Sequence, residues 1–117
     1  MTEELEKIIQ VLSHSGSLKI LKAISKRPAR QKDIIALTKL DKTIVWRRLN
    51  ELFDLGLIRI SFSGATSPKL YELTPLGQRI VQLLEQMEAE FEKYHSQAPP
   101  KDPEKFIGEL MGEDRED

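Results

Sequence analysis

The stretch from Asp41 to Ile58 reads DKTIVWRRLNELFDLGLI and holds the group of side chains in this sequence that is best suited to binding another molecule. Its apolar residues recur at helical spacing, which places Val45, Leu49 and Leu52 on one face. The face left to solvent carries cationic, hydroxyl, aromatic and amide groups, at Lys42, Thr43, Trp46, Arg47 and Asn50. Arginine can form two parallel hydrogen bonds to guanine, asparagine can do the same to adenine, and lysine binds phosphate. These side chains could therefore read the edges of base pairs.

Trp46 is a bulky aromatic residue on this solvent-facing side of the predicted helix. The ring could pack against a thymine methyl group or a sugar and exclude water around Arg47. It could instead fold back over the turn before the helix and belong partly to the core. Tryptophan is also enriched at the energetic centres of protein interfaces, so a protein partner is a third alternative. The sequence leaves all three open.

The elements that must position this helix are predicted from apolar periodicity and from residues that start and stop helices. Helices are predicted from Thr2 to Leu12, from Leu18 to the stop at Arg27-Pro28, from Gln31 to Thr38, and from the Asp41 cap to Leu55-Gly56. From Leu57 the apolar period changes from 3.6 to 2, so two strands are predicted around the turn SGATSP. Thr74-Pro75 then opens a last helix that continues to Ser96 and is about 33 Å long.

The composition narrows the class of protein. The 117 residues suffice for one domain with a tail, and the absence of cysteine excludes a disulfide framework and a thiolate metal site. No apolar run approaches the roughly 20 residues that cross a membrane, and no signal-peptide pattern is present, so we expect no membrane association and a cytoplasmic location. An enzyme is not expected, because there is no glycine-rich phosphate loop or serine elbow and the two histidines lie 81 positions apart.

The charge is unevenly distributed along the chain. Residues 13–79 carry 13 Lys and Arg against 5 Asp and Glu, whereas residues 80–117 carry 4 against 11. The first twelve residues hold Lys7 against three glutamates. A basic module between acidic flanks is the electrostatic pattern expected of a nucleic-acid binder, although an ordinary solvated surface can have the same composition.

The order of elements predicts a fold that is mainly α with a small β-hairpin wing, namely a winged helix-turn-helix domain followed by a long C-terminal dimerisation helix. The segments VLSHSGSLKILKAI, DIIALTKLDKTIVWRRLNELFDLGLI and LYELTPLG also carry a family resemblance. Together they resemble repressors of the arsenic-resistance (ArsR) class, with relatives of the multiple-antibiotic-resistance (MarR) type. The long last helix adds a resemblance to archaeal winged-helix proteins that dimerise through a coiled coil.

This resemblance implies a recognition helix at about residues 42–54 in the major groove of double-stranded DNA and a wing at about 57–73 along the backbone. The residues implied to contact DNA are Arg30, Gln31, Lys32, Lys42, Thr43, Trp46, Arg47, Arg48, Asn50 and Lys69. Arg48 lies near the boundary of the exposed face and suits either a phosphate or an acidic neighbour. The start of the preceding helix could contact phosphate or simply be solvated, and Arg59 could pair with Glu72 or touch DNA.

A homodimer is predicted from apolar stripes on the first and last helices. The predicted interface residues are Leu5, Ile8, Ile9, Leu12, Ile80, Leu84, Met87, Phe91 and Tyr94. The last five follow a heptad seam, and the alternative is that this helix folds back on its own domain. The predicted organisation is a winged-helix domain at 1–79, a dimerisation helix at 75–96 and an acidic, partly disordered tail at 97–117.

No metal site and no cofactor are predicted. Relatives of the ArsR class often sense metal through cysteines, or through aspartate and histidine pairs on the last helix. This sequence departs from both patterns, and Glu92 with His95 is too sparse a ligand pair for a specific site. His14 is expected to be a helix-end or surface histidine.

The function expected from the sequence is a homodimeric, sequence-specific DNA-binding transcriptional regulator. Two alternatives share the fold: a winged-helix protein-interaction module and an architectural protein that binds DNA with low specificity. The acidic tail is expected to be solvated, and the competing hypothesis is that its apolar residues dock on a protein partner or on the dimer.

Overall fold

The structure, a computed structural model, describes residues 1–61 and 69–97. Its elements are α1 (Glu3–Leu12), α2 (Ser17–Ser25), α3 (Gln31–Thr38), α4 (Lys42–Asp54), β1 (Ile58–Ser61), β2 (Leu70–Leu73) and α5 (Pro75–Gln97). The chain divides into two compact units, Met1–Leu84 and Glu85–Asp117. The predicted fold class, mainly helical with a two-stranded hairpin, is confirmed.

The helix starts are set by the capping side chains that the sequence indicates. Thr2 accepts a hydrogen bond from the backbone N–H of Leu5 at 3.1 Å and so begins α1. Asp41 accepts one from the N–H of Thr43, also at 3.1 Å, and begins α4. Each cap satisfies a backbone donor that has no partner within its helix, which fixes the first turn.

The core of the first unit lies where the apolar faces of the helices meet the hairpin. Its buried members are Leu12, Ile20, Leu21, Ile24, Ala29, Ile34, Val45, Leu49, Leu52, Leu57, Ile58 and Leu73. Val45, Leu49 and Leu52 are at most 3% exposed, so the periodic face of α4 faces this core. The rotation of α4 about its axis is therefore fixed, and its polar face is turned to solvent.

The hairpin pairs β1 with β2 in antiparallel register, with Ile58 opposite Leu73 and Arg59 opposite Glu72. A further bridge joins Ala29 to Tyr71, with backbone hydrogen bonds of 2.9 and 3.0 Å. This bridge ties the segment before α3 to the hairpin. The predicted turn SGATSP and the predicted acidic tail lie outside the described residues.

The start of α5 is held against the end of α4 and the start of β1 by Thr74 and Gly77. The hydroxyl of Thr74 donates to the carbonyl of Gly56 at 2.6 Å and accepts from the N–H of Gly77 at 3.0 Å. The N–H of Thr74 donates to the carbonyl of Leu57 at 3.0 Å. A Cβ atom at Gly77 would overlap that same carbonyl oxygen, so the close approach of helix and strand requires glycine here.

Candidate nucleic-acid interface

The polar face of α4 is exposed to solvent and carries several kinds of side chain that can bind another molecule. Lys42, Thr43, Arg47 and Asn50 are all exposed, while the apolar residues behind them are buried in the core. Because α4 is anchored along its full buried face, these side chains project from a fixed support. The structure thus brings together five of the predicted DNA-contacting residues, including Trp46, on one helix.

The Trp46 side chain is 59% exposed. A ring folded back into the core would have lost most of its accessible surface. The exposure favours the two readings in which the ring packs against an external partner, either a DNA groove or a protein surface. An aromatic side chain left this open is a large unused contact area beside Arg47.

Asn50 has a hydrogen bond within α4. Its Nδ2 donates to the backbone carbonyl of Trp46 at 2.8 Å, one turn earlier. A two-bond contact with adenine uses both the amide N–H and the amide oxygen of asparagine, so Asn50 must release this carbonyl before it can read that base. Arg47 has no hydrogen bond or ion pair among the described residues and needs no such release.

Arg48 differs from its neighbours because its side chain is 10% exposed. Its Nε donates to the carbonyl of Ser15 at 2.9 Å, and its Nη1 lies 2.7 Å from both carboxylate oxygens of Glu51. Of the two predicted partners, phosphate or an acidic neighbour, the structure shows the acidic neighbour. The guanidinium is bound inside the protein, so Arg48 does not belong to the exposed polar face of α4.

The Arg48 contacts form a cluster that joins the α1–α2 turn to α4. The Nδ1 of His14 lies 2.9 Å from the Glu51 carboxylate, so His14 has a structural partner. Burial raises the pKa of Glu51, but the hydrogen bonds and charges of His14 and Arg48 outweigh it and lower the pKa below its ordinary value. The sequence did not point to Ser15 or Glu51; the i, i+3 spacing of Arg48 and Glu51 is the one signal it contained.

The remaining predicted DNA contacts lie at the start of α3 and at the wing. Arg30 occupies the position before α3, and its Nε lies 3.4 Å from Asp33. Gln31 is half-buried, whereas Lys32 and Lys69 are exposed. Arg59 donates to Glu72 across the hairpin at 2.6 Å, so the pairing alternative holds for that residue.

A sequence model of the winged helix-turn-helix family matches residues 17–92, which is most of the chain. The chain belongs to the winged helix-turn-helix family. The match covers α2 to α4, the hairpin and most of α5, and it names the winged-helix class without singling out the ArsR type. The ArsR assignment therefore stays a prediction. No curated protein sequence matches this winged-helix chain.

Solved structures share this winged-helix fold. Diamide-treated YodB from B. subtilis has a TM-score of 0.70 at 19% identity, over 86% of this chain and 98% of that one. A MarR family transcriptional regulator from Silicibacter pomeroyi DSS has a TM-score of 0.62 at 18% identity, over 95% and 78% of the two chains. AF1382 from Archaeoglobus fulgidus has a TM-score of 0.58 at 20% identity, over 72% and 96%. At these identities the likeness shows the fold.

The predicted dimer residues of this winged-helix chain fall into two groups. Leu12 is 5% exposed and belongs to the core of its own chain, so it has no surface to offer a second copy. Ile8, Ile80 and Leu84 also pack against that core. The exposed members, at 37 to 67%, are Leu5, Ile9, Met87, Phe91 and Tyr94. The sequence left open whether α5 packs on its own domain or on a second copy. Up to Leu84, the helix packs on its own domain.

The described residues were predicted to hold no metal site and no membrane span. Within residues 1–61 and 69–97, no three His, Cys, Asp or Glu side chains lie close enough together to hold a metal ion. His95 stacks on Phe91 with ring centroids 6.1 Å apart. Among the described helices, none is both long and apolar enough to cross a membrane.

Proposed function

We propose that this winged-helix protein is a homodimeric, sequence-specific DNA-binding transcriptional regulator. The observation that carries the proposal is the exposed polar face of α4, where Lys42, Arg47 and Asn50 project from a helix buried along its opposite side. A rigid helix that presents an asparagine and an arginine with no ion pair among the described residues fits the major groove, whose base edges such side chains can bind. Lys32 and Lys69 supply charge for phosphate contacts.

The related folds support the regulatory part of the proposal. YodB is described as a transcriptional regulator, and the Silicibacter pomeroyi protein as a MarR family transcriptional regulator. Sequence-specific binding is favoured over architectural binding because Arg47 and Asn50 can form hydrogen bonds to base edges. An architectural protein needs only phosphate contacts. We assign sequence discrimination to α4 and backbone contacts to the wing and the start of α3.

A homodimer accounts for the exposed apolar side chains of two helices. On α1, Leu5 and Ile9 are 37% and 50% exposed. On α5, Met87 and Phe91 are one turn apart and are 52% and 61% exposed. A second copy of the chain would cover such stripes, and two-fold symmetry would present two recognition helices to an inverted-repeat site with half-sites about 10 base pairs apart.

Arg47→Ala is expected to remove most of the discrimination between the duplex upstream of the protein's own gene and a scrambled duplex of equal length. Each lost two-bond contact to guanine costs about 1–3 kcal/mol, or roughly fivefold to 150-fold in specific affinity, and the dimer loses one such contact in each half-site. Fluorescence anisotropy across a salt series measures both affinities. Trp46→Ala, measured on the same duplexes, reports whether the ring contributes to the same specific complex.

Arg59→Ala is the matched control, because it removes an arginine that is paired with Glu72 on the hairpin. Its specific affinity should stay within about twofold of the parent protein if Arg59 is not a DNA contact. Equal, salt-steep binding of both duplexes by the parent protein would contradict specific recognition and indicate an architectural role. Absence of binding to either would favour the protein-interaction alternative.

Met87→Glu combined with Phe91→Glu is expected to convert the dimer into a monomer. Each substitution would place a charge against apolar surface in the paired state, where an unpaired charge is strongly unfavourable. Sedimentation at micromolar concentration should show the mass of two chains for the parent and of one chain for the variant. The double variant should also lose affinity for the inverted-repeat duplex.

Gln86→Glu combined with Ala89→Glu is the control for this change. It adds the same two negative charges to exposed positions of α5 that lie roughly 120° and 180° from the Met87–Phe91 stripe. This control should remain a dimer. A parent protein with the mass of one chain would remove the homodimer from the proposal while leaving DNA recognition by α4 to be judged from the anisotropy data.

A further inference from the structure

A second basic surface lies on α2 and on the turn after α3. An open groove of about 590 Å³ is bordered there by Leu37 and by five cationic side chains, Lys19, Lys22, Lys26, Arg27 and Lys39. None of these cations belongs to the predicted DNA-contacting set. They account for much of the basic excess of residues 13–79, so the proposed DNA-binding role leaves this charge unexplained.

The five cations have no ion-pair partner among the residues that the structure describes. Within residues 1–61 and 69–97, ion pairs are formed by His14, Arg30, Arg48 and Arg59, and none by the side chains that border the groove. Lys22 and Lys26 are one helical turn apart, where like charges destabilise a helix. With no ion-paired anion in residues 1–61 and 69–97, this self-repelling cluster would be stabilised by a bound acidic group.

Lys39 adds a backbone cost to the same groove. Its φ of 59° is the one positive φ of a non-glycine residue among the described residues. That left-handed conformation suits glycine or asparagine better than a lysine. The turn between α3 and α4 therefore tolerates strain at a residue whose side chain borders the groove.

An apolar cleft adjoins the basic groove. It has a volume of about 360 Å³ and shares Ala23, Arg27 and Leu37 with the groove. It continues over Pro28, Ala36 and Asp33, and the Asp33 carboxylate is paired with Arg30. The Leu37 side chain, which lines both, is 66% exposed. The surface thus offers a cluster of positive charge beside a largely apolar cleft.

Leu37, the exposed α3 residue of the groove, lies on a different face of α3 from the residues predicted to contact DNA. At about 100° per residue, Leu37 lies roughly 120° from Gln31 and 140° from Lys32 around the helix axis. A protein using Gln31 and Lys32 on DNA would therefore leave Leu37 and its cations open to a different molecule.

We propose that this surface, formed by α2 and the end of α3, binds an acidic segment of a partner protein that also carries apolar side chains. The five cations match the carboxylates of such a segment, and Leu37 with the adjoining cleft matches its apolar residues. Duplex DNA satisfies the charge but presents phosphates and sugars where the surface offers a leucine and an alanine-lined cleft. The chemistry of the whole surface therefore fits an acidic amphipathic peptide better than a second stretch of duplex.

The test uses the full chain and a fluorescein-labelled 16-residue peptide in which glutamates are interspersed with leucines. A second peptide replaces every leucine with serine. Lys22→Glu with Lys26→Glu should weaken binding of the leucine-containing peptide about tenfold or more, because two attractions become repulsions. Leu37→Ser should weaken it by about fivefold, because the apolar contact is lost while the charge is kept.

Lys7→Glu with Arg79→Glu is the matched control, since it reverses the same number of exposed charges outside the groove. It should change peptide affinity by less than the groove variant does. All the substituted side chains are exposed, and the melting temperature of each variant checks that it folds. DNA affinity is measured alongside for every variant. Leu37→Ser should leave DNA affinity unchanged, and the two double charge-reversal variants should lower DNA affinity to a similar degree.

Three results would overturn the proposal. Equal loss of peptide affinity in the groove and control variants would mean that only net charge matters. Equal affinity for the leucine and serine peptides would remove the apolar part of the recognition. A groove variant that loses far more DNA affinity than the control would assign the cations to duplex contacts. Because the peptide arm does not depend on α4, failure of this proposal is distinguishable from failure of DNA recognition.

Discussion

Gly77→Ala is expected to lower the free energy of unfolding by about 3 kcal/mol or more, because a methyl group would be forced against backbone that has little room to move. A Cβ atom at this position would overlap the carbonyl oxygen of Leu57 and lie 3.0 Å from its carbonyl carbon. That oxygen also accepts the N–H of Thr74 at 3.0 Å. Moving α5 away to make room would therefore weaken this hydrogen bond and the packing that depends on it.

The measurement is thermal unfolding followed by circular dichroism. For a domain of this size, 1 kcal/mol corresponds to about 4–8 °C, so the melting temperature should fall by roughly 12 °C or more. Gln78→Ala is the control, since Gln78 is exposed in the same turn and should change stability by about 0.5 kcal/mol or less. A Gly77→Ala protein that melts within about 2 °C of the parent would show that this close approach is not required.

Much of the fold could be predicted because its information is local. The spacing of Val45, Leu49 and Leu52 fixes which side of α4 is buried, and Thr2 and Asp41 mark the helix starts that the structure shows. The strand and helix periods differ enough to place the hairpin between α4 and α5. The exposed residues of α4 follow from the same pattern, because a helix buried along one side leaves the other side free.

Arg48 shows why the rest of the site could not be predicted. Its position flanks the buried face of α4, so its exposure depends on what packs beside the helix. That neighbour is the Ser15 carbonyl, 33 residues earlier in the chain, and helical spacing carries no information about such a contact. The basic groove is a similar case, because Lys22 and Lys39 meet only when α2 and α3 pack together.

The heptad stripe of α5 is ambiguous for a different physical reason. A heptad pattern has the same appearance whether the helix packs on its own domain or on a second copy. Ile80 and Leu84 pack on the core of their own chain, while Met87 and Phe91, further along the same seam, remain exposed. The point at which the seam changes from packed to exposed depends on how far the core of residues 1–84 extends along α5. The sequence of α5 alone does not contain that information.

Arg48→Met is expected to lower the free energy of unfolding by about 2 kcal/mol, because it leaves a partly buried carboxylate without its main partner. The substitution keeps much of the side-chain volume but removes the bonds from Arg48 to Glu51 and to the Ser15 carbonyl. Among the described residues, Glu51 would retain only its 2.9 Å contact with His14. Urea unfolding of the parent and the variant measures the difference.

Arg59→Met is the matched control, because Arg59 pairs with Glu72 at 2.6 Å but is 55% exposed, and an exposed pair contributes about 0.2–1 kcal/mol. Glu51→Gln and the Arg48→Met, Glu51→Gln double variant complete the cycle. The double variant should be more stable than the sum of the single effects predicts, by about 1 kcal/mol, since the unpaired charge is then absent. Additive effects, or a loss no larger than that of Arg59→Met, would mean that Arg48 does not fasten α4 to the α1–α2 turn and would return it to the residues free to contact phosphate.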